Sequence, residues 1–344
     1  MKRKIIGLSL CLSAIVLMFP VACKNSDTHS DEAVKVIFDT DMGNDIDDAL
    51  ALDMLYKYMD EGKVELLGIT SNKEEPQSVE FIDIMNTFYG YPDIPIGKIT
   101  DGADCDRVNS YTSQIASDIS YHRSVADYGG LPESVELMRQ LLSQEKDGDV
   151  IIIAVGFSTN LQRLMASGPD KYSDLDGMDL IRTKVRHLYM MAGEFEDENG
   201  KSAEYNIRID RDAAADVFDS WPTPVTTSPF EVGSKMLYPV SSILNDFDYA
   251  GKHPLAEAYK VYKPMPYDRQ MWDPSAVLYA IEHDKGYFTT GGKGKITVDG
   301  NSMTWFERTE TGKHEYLKLN DSAAPAALTR MMEVITSVPA SSRQ

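Results

Sequence analysis

Cysteine is almost absent from this chain: three in 344 residues, at positions 11, 23 and 105. So few thiols exclude a disulfide-stapled scaffold. Basic residues are also scarce, with 34 Lys and Arg against 54 Asp and Glu and a formal net charge of -20. A protein that holds a nucleic-acid backbone needs a basic face, so a nucleic-acid polymer is excluded as a partner, while small-molecule and cationic ligands remain open. No internal repeat is visible, and no second linker follows residue 33. What is present is ordinary globular material: 42% hydrophobic, 26% charged and 9% aromatic residues. That composition supports a substantial core, and the length suits one large α/β domain or two smaller ones.

The single long apolar run, residues 5–19, follows the basic stretch "MKRK". It is short for a membrane span and reads as the core of a signal peptide covering residues 1–22. The small residues before Cys23 resemble a bacterial lipobox, in which the cysteine is acylated and begins the mature chain. Pro20 stands where that motif usually has leucine, and an ordinary secretory signal is the alternative. With Cys11 removed and Cys23 acylated, Cys105 has no partner. Polar residues 23–33 read as a tether, and residues 34–338 as one domain. The expected location is the bacterial cell envelope, lipid-anchored in the periplasm or outer membrane, or else secreted.

Short β-branched runs at 34–38, 64–70 and 149–155 read as buried strands, with shorter ones at 94–99, 185–193 and 224–228. Helical spacing of apolar residues marks 47–59, 76–89, 132–145, 158–167 and 210–221. Residues 100–130 read as irregular, and 194–204 as an acidic loop. Two or three helices are expected up to about 284, then a hairpin over 295–307 with Asp299-Gly300 in its turn, and a final helix over 320–338. Alternating strands and helices predict a mostly parallel central sheet with helices on both faces, Rossmann-like, with a small C-terminal hairpin region. Ligands in such sheets bind beyond the carboxyl ends of the strands.

The stretch "DTDMGNDIDD" places Asp39, Asp41, Asp45, Asp47 and Asp48 within ten positions at the end of the first strand. Asp39 and Asp41, two apart, share a face there. An aspartate near a helix start gains ~1 kcal/mol as a cap and ~0.3–1 kcal/mol from the helix dipole. That accounts for one or two of the five. Two carboxylates ~4 Å apart repel by about 4 kcal/mol at an effective dielectric of 20. A hard divalent cation removes that cost, and Ca²⁺ is the ion that takes several carboxylate and carbonyl oxygens together.

The strand followed by Asp39-x-Asp41-x-Gly43 and then Asp47-Asp48-Ala49 resembles the opening motif of the inosine–uridine-preferring nucleoside hydrolase family, with two extra residues in the turn. "GITSN", "AVGFSTNL", "AEYN" and "WDPSA" resemble later family segments in the right order, over about residues 34–284. The resemblance implies calcium-dependent hydrolysis of the N-glycosidic bond of ribonucleosides, as in purine and pyrimidine salvage. It implies Asp41, Asp48, the Val155 carbonyl and Asp273 as calcium ligands, with Asp41 also the general base. It implies Asp47, Asn72, Glu204 and Asn206 as ribose contacts, with Asn199 near the 5′-hydroxyl although one position off the family spacing. Relatives are often dimers or tetramers, so a homo-oligomer is expected.

One departure stands out. Many members carry a histidine before the calcium-binding aspartate, where it protonates the leaving base. Here that residue is Trp272, whose indole cannot deliver a proton at neutral pH. Trp272 either stacks on the base or packs in the core, and His122 and His187 are possible substitutes for the acid. Two other readings stay open: a non-catalytic ribose- or nucleoside-binding lipoprotein, and a haloacid-dehalogenase-type phosphatase that opens with the same strand and Asp-x-Asp. The phosphatase pattern has Thr or Val where this chain has Gly43, and it lacks the Asp47-Asp48 pair.

Overall fold

The uninterrupted apolar runs dictate the centre of the molecule, because strands buried on both faces cannot alternate polar with apolar residues. The structure is a computed structural model that describes residues 32–103, 111–196 and 202–343. In chain order its first half holds β1 (Val34–Thr40), α1 (Asp47–Asp60), β2 (Val64–Ser71), α2 (Pro76–Tyr89), β3 (Ile96–Gly97), α3 (Tyr111–Ala116), α4 (Ser134–Gln144), β4 (Val150–Ala154), α5 (Thr159–Ala166), α6 (Gly177–Lys184) and β5 (Val185–Met191). There follow α7 (Tyr205–Ile209), α8 (Arg211–Ser220), β6 (Val225–Ser228), α9 (Phe230–Gly233), β7 (Leu237–Tyr238), α10 (Val240–Asn245), α11 (Pro254–Tyr262), β8 (Arg269–Gln270) and α12 (Trp272–Glu282). The chain ends with β9 (Phe288–Thr290), β10 (Gly294–Val298), β11 (Thr304–Arg308), β12 (His314–Leu319) and α13 (Ala324–Thr336).

Ten strands form one sheet in the order β11-β10-β12-β6-β5-β4-β1-β2-β3, with β9 also on β12. From β12 through β3 neighbours are parallel, whereas β9, β10 and β11 pair antiparallel. β7 and β8 make a separate antiparallel pair. Period-two side-chain alternation splits the core in two. Val36, Phe38, Ile151 and Ile153 pack with residues of α1, α2, α12 and α13 on one face. Ile37, Ile152, Leu188 and Met190 pack with α4, α5, α6 and α8 on the other. The expected class, a mostly parallel sheet covered on both faces, is the observed one.

The differences have local causes. The strand expected over 94–99 is only Ile96–Gly97, because Pro92 and Pro95 interrupt the segment before it. The hairpin over 295–307 forms as β10 and β11, but it is no satellite. β12, which the sequence reading missed, carries it into the main sheet by pairing parallel to β6. The alternation in "HEYLKL" was a strand signal, masked by the polar residues a partly buried strand tolerates. α3 and α6 also went unanticipated, and four helices rather than two or three lie between 230 and 282.

Candidate active site

Parallel strands end at the same edge, so the carboxyl ends of β1, β2, β4, β5 and β6 deliver Asp41, Asn72, Val155, Ala192 and Phe230 to one rim. A cavity of about 280 Å³ opens there, at the small end of the ~300–1,000 Å³ usual for ligand pockets. Its lining includes Asp41, Asp45, Asp47, Asp273, Glu204, Asn206, Val155 and Trp272. These come from four separate chain segments.

The five clustered aspartates have five different tasks. Asp39 does not reach the cavity. It is fully buried, accepting hydrogen bonds from Thr70 Oγ1 (2.6 Å), Asn72 Nδ2 (2.8 Å) and Asn160 Nδ2 (2.7 Å). A phosphatase nucleophile could not be enclosed in this way. Asp41 lies just past the strand, where the Asn44 side-chain amide donates to its Oδ2. Asp45 accepts from Arg269 Nη2 at 2.7 Å. Asp47 opens α1, where the helix dipole favours an acid, and accepts from Arg269 Nε at 3.0 Å and from the Asp273 backbone N–H at 3.3 Å. Asp48 takes the Thr40 hydroxyl on Oδ1, while its buried Oδ2 has no hydrogen-bond partner.

Burial is the main reason these acids hold protons more tightly than usual, and their mutual repulsion adds to it. Asp41 is raised to about 7 by burial and then by Asp45, with Asn44 and Lys73 opposing. Asp47 is raised to about 8 by burial against the pull of Arg269. Asp48 and Asp273 are pushed well up in the same direction, by burial and then by the neighbouring aspartates. Asp39 is raised to about 6 by burial, with its three side-chain donors opposing. Arg269 is buried too, which works against its charge, yet Asp47 and Asp45 outweigh that and hold it protonated.

One carboxylate oxygen from each of Asp45, Asp47 and Asp273 lies within 4.8 Å of the other two. Together with the unpartnered Asp48 oxygen, this donor set suits a hard divalent cation. The tight group is therefore Asp45, Asp47 and Asp273, drawn together by Arg269 and the Asp273 backbone. Of the expected trio, Asp41 and Asp273 line the hollow, with Asp41 turned to Asn44, whereas Asp48 is buried behind the lining and turned to Thr40. The Val155 carbonyl accepts from Asn206 Nδ2 at 3.2 Å, and Met191 O accepts from the same amide at 3.3 Å. Gly156 lets this strand end approach β1: a Cβ there would sit 2.5 Å from both Asn72 Oδ1 and the Asp41 backbone nitrogen.

Glu204 caps α7 and accepts N–H bonds from Asn206 (2.8 Å), Ile207 (3.2 Å) and Gly193 (3.2 Å). Burial raises it to about 7 against those three donors. Asn72 has a different place from the one expected. Its Nδ2 holds Asp39 and its Oδ1 accepts the Phe157 N–H at 3.1 Å, so it braces the floor and does not line the cavity. Asn199 lies outside the described residues, as do Cys23 and Cys105. Trp272 stacks on Phe230 with ring centroids 5.4 Å apart, and its Nε1 donates to Phe230 O at 3.0 Å. Its one donor is thus engaged. Neither candidate histidine is near: His187 bonds Thr226 Oγ1 and burial lowers it to about 4, while His122 lines another hollow.

The residues missed from sequence are Arg269, Asn160, Tyr205, Phe230 and Arg208. Asn160 and Tyr205 carried a signal, since they sit in "STNL" and "AEYN", which resemble family segments.

A family model for the inosine-uridine preferring nucleoside hydrolases matches residues 36–329. The chain belongs to that family. This nucleoside hydrolase is an enzyme by that membership, which sets aside the binding-protein and phosphatase readings. Among solved structures it is similar to a plant nucleoside hydrolase (TM-score 0.67, 19% identity, 89% of this chain and 99% of that one). A purine-preferring ribonucleoside hydrolase from Gardnerella vaginalis is alike at TM-score 0.67 and 22% identity, over 88% of this chain and 98% of that one. An inosine-uridine preferring nucleoside hydrolase from Bacillus anthracis is alike at TM-score 0.64 and 18% identity, over 88% of this chain and 99% of that one. Likeness at these identities carries the fold. No curated protein matches the chain.

Proposed function

We propose that this nucleoside hydrolase cleaves the N-glycosidic bond of ribonucleosides with calcium held among Asp41, Asp45, Asp47, Asp48 and Asp273. The observation that carries the reading is an acidic cavity whose carboxylates repel one another, with an unpartnered buried oxygen on Asp48 behind its lining. Calcium bound there supplies a Lewis acid for water and an anchor for the ribose hydroxyls. The chain's own residues do the rest. Asp41 takes the proton of the attacking water, a role worth ~10²–10⁴ in rate. Glu204 and Asn206 hold the ribose hydroxyls, so a deoxyribose would leave buried polar groups unpaired and be rejected strongly. Asp39, Asn72 and Asn160 fix the strand end that carries Asp41. Trp272 offers the base a stacking face rather than an acid.

We also propose that Cys23 is acylated and anchors the enzyme in a bacterial cell envelope, where it salvages bases from nucleosides. Radiolabelled palmitate retained by the wild type and lost in Cys23→Ala is the expected result; equal labelling of both contradicts it. Homo-oligomer formation is part of the same proposal and is read by light scattering. The enzymatic reading is tested by measuring ribose released from purine, pyrimidine and nicotinamide ribosides. Release from at least one riboside is expected, and none from any contradicts the assignment.

A further inference from the structure

The cavity is asymmetric in charge. Asp41, Asp45, Asp47, Glu204 and Asp273 line it, and Arg208 is the sole cationic side chain among the described lining residues. Arg208 sits one turn along α7 from Glu204, its backbone N–H donating to Glu204 O at 2.8 Å. Glu204 is buried while Arg208 is exposed, so α7 runs from the acidic floor towards the mouth. The Arg208 guanidinium lies 5.3 Å over the Tyr205 ring. Tyr205 and the stacked Phe230–Trp272 pair line the same cavity, so its mouth offers aromatic surface to a planar ligand. A sugar drawn to the carboxylate floor leaves its base among these groups.

When the ribosyl carbon–nitrogen bond breaks, its electron pair passes onto the base, which must be stabilised as an anion or protonated. Among the described residues no histidine lines the cavity, and the Trp272 N–H is committed to Phe230 O. We propose that Arg208 is the contact for the departing base, donating N–H bonds to the O6 and N7 acceptors of a 6-oxopurine and so holding the developing charge. This inference rests on the hydrolase reading above and assigns its preferred leaving group. A guanidinium keeps its proton in a protein, so it stabilises the anion without protonating it. The water hydroxyl goes to the sugar carbon, the water proton to Asp41, and the base takes its final proton from solvent. Adenine presents an amino donor where hypoxanthine and guanine present O6, so one of the two bonds is lost with it.

The test compares wild type, Arg208→Met and Arg208→Lys on inosine, adenosine and 4-nitrophenyl riboside, whose phenolate leaves unaided. Wild type is expected to favour inosine over adenosine. In Arg208→Met the ratio of kcat/KM for inosine to that for the nitrophenyl riboside falls about 10–100-fold, the range for losing a bidentate guanidinium–purine contact. Arg208→Lys, which keeps the charge but not the fork, falls part of the way. Equal losses on all three substrates, an unchanged ratio, or a wild type that favours adenosine overturns the assignment of Arg208 while the hydrolase reading stands. Wild type that releases ribose from none of them overturns the hydrolase reading itself, and the inference with it.

Discussion

Arg269→Met removes the guanidinium that bridges Asp45 and Asp47 without changing the packed volume greatly. Arg269 is 3% exposed and contacts Asp45 and Asp47 at once. Breaking a buried ion pair by deleting one partner costs ~3–5 kcal/mol, because a buried charge is left uncompensated. Here the remaining acids can take up protons, so the lower end applies at acidic pH and the upper end above neutrality. Unfolding entropy of about 2.1 cal/mol/K per residue converts 1 kcal/mol into roughly 1.5 °C for a domain of about 300 residues. The variant should therefore melt ~5–8 °C below wild type in chelator at pH 8. Calcium should recover more of that loss in the variant than it adds to wild type, since Arg269 competes with a cation for the same carboxylates. Differential scanning calorimetry with chelator and with calcium reads both quantities. A chelated variant within about 1 °C of wild type would refute the counter-charge role. So would an equal calcium increment in the two proteins.

Asp41→Asn should fold normally and lose ~10²–10⁴ in kcat, and retention of more than about a tenth of the wild-type rate counts against a general base. Without calcium, stability should fall as pH rises. The folded-state values of Asp39, Asp41, Asp47 and Glu204 are raised to about 6, 7, 8 and 7. The folded protein therefore binds more protons than the unfolded chain above the ordinary carboxylate range, and the slope is negative up to about pH 8. Melting temperatures in chelator from pH 5 to 8 check this, and a flat or rising curve contradicts it; calcium should flatten the trend. Gly156→Ala should destabilise by about 1–3 kcal/mol through overpacking and lower kcat, because the added methyl displaces Asp41; unaltered kcat and urea midpoint argue against that close approach. Trp272→Phe should keep most of the kcat/KM that Trp272→Ala loses on purine ribosides, and equal loss in both rejects a stacking role.

Much of the fold was legible because its central strands are continuous apolar runs. Residues 36–38 and 150–154 admit no other environment, and the aspartates after the first strand demanded an explanation that propensity could not give. The rest depended on distant partners. Arg269 stands in a polar segment between two helices, and its value comes from Asp47, 222 positions earlier. Asn72 looked like a ligand contact because it ends a strand at the right rim. Which of its neighbours it would serve is set by the depth of Asp39, and depth has no local signature. Asp45 was visible but given no separate role, since the two-residue extension of the turn hides where it points. β12 was hidden because a partly buried strand carries Glu and Lys as easily as a helix does.

The most direct measurement is the number of calcium ions retained per chain after gel filtration, taken with ribose release from inosine by the same sample. The account predicts one tightly held ion per chain and ribose release that disappears when the ion is stripped and returns when it is restored. Ribose release that is equal in stripped and calcium-loaded protein would contradict it, as would a chain that retains no ion.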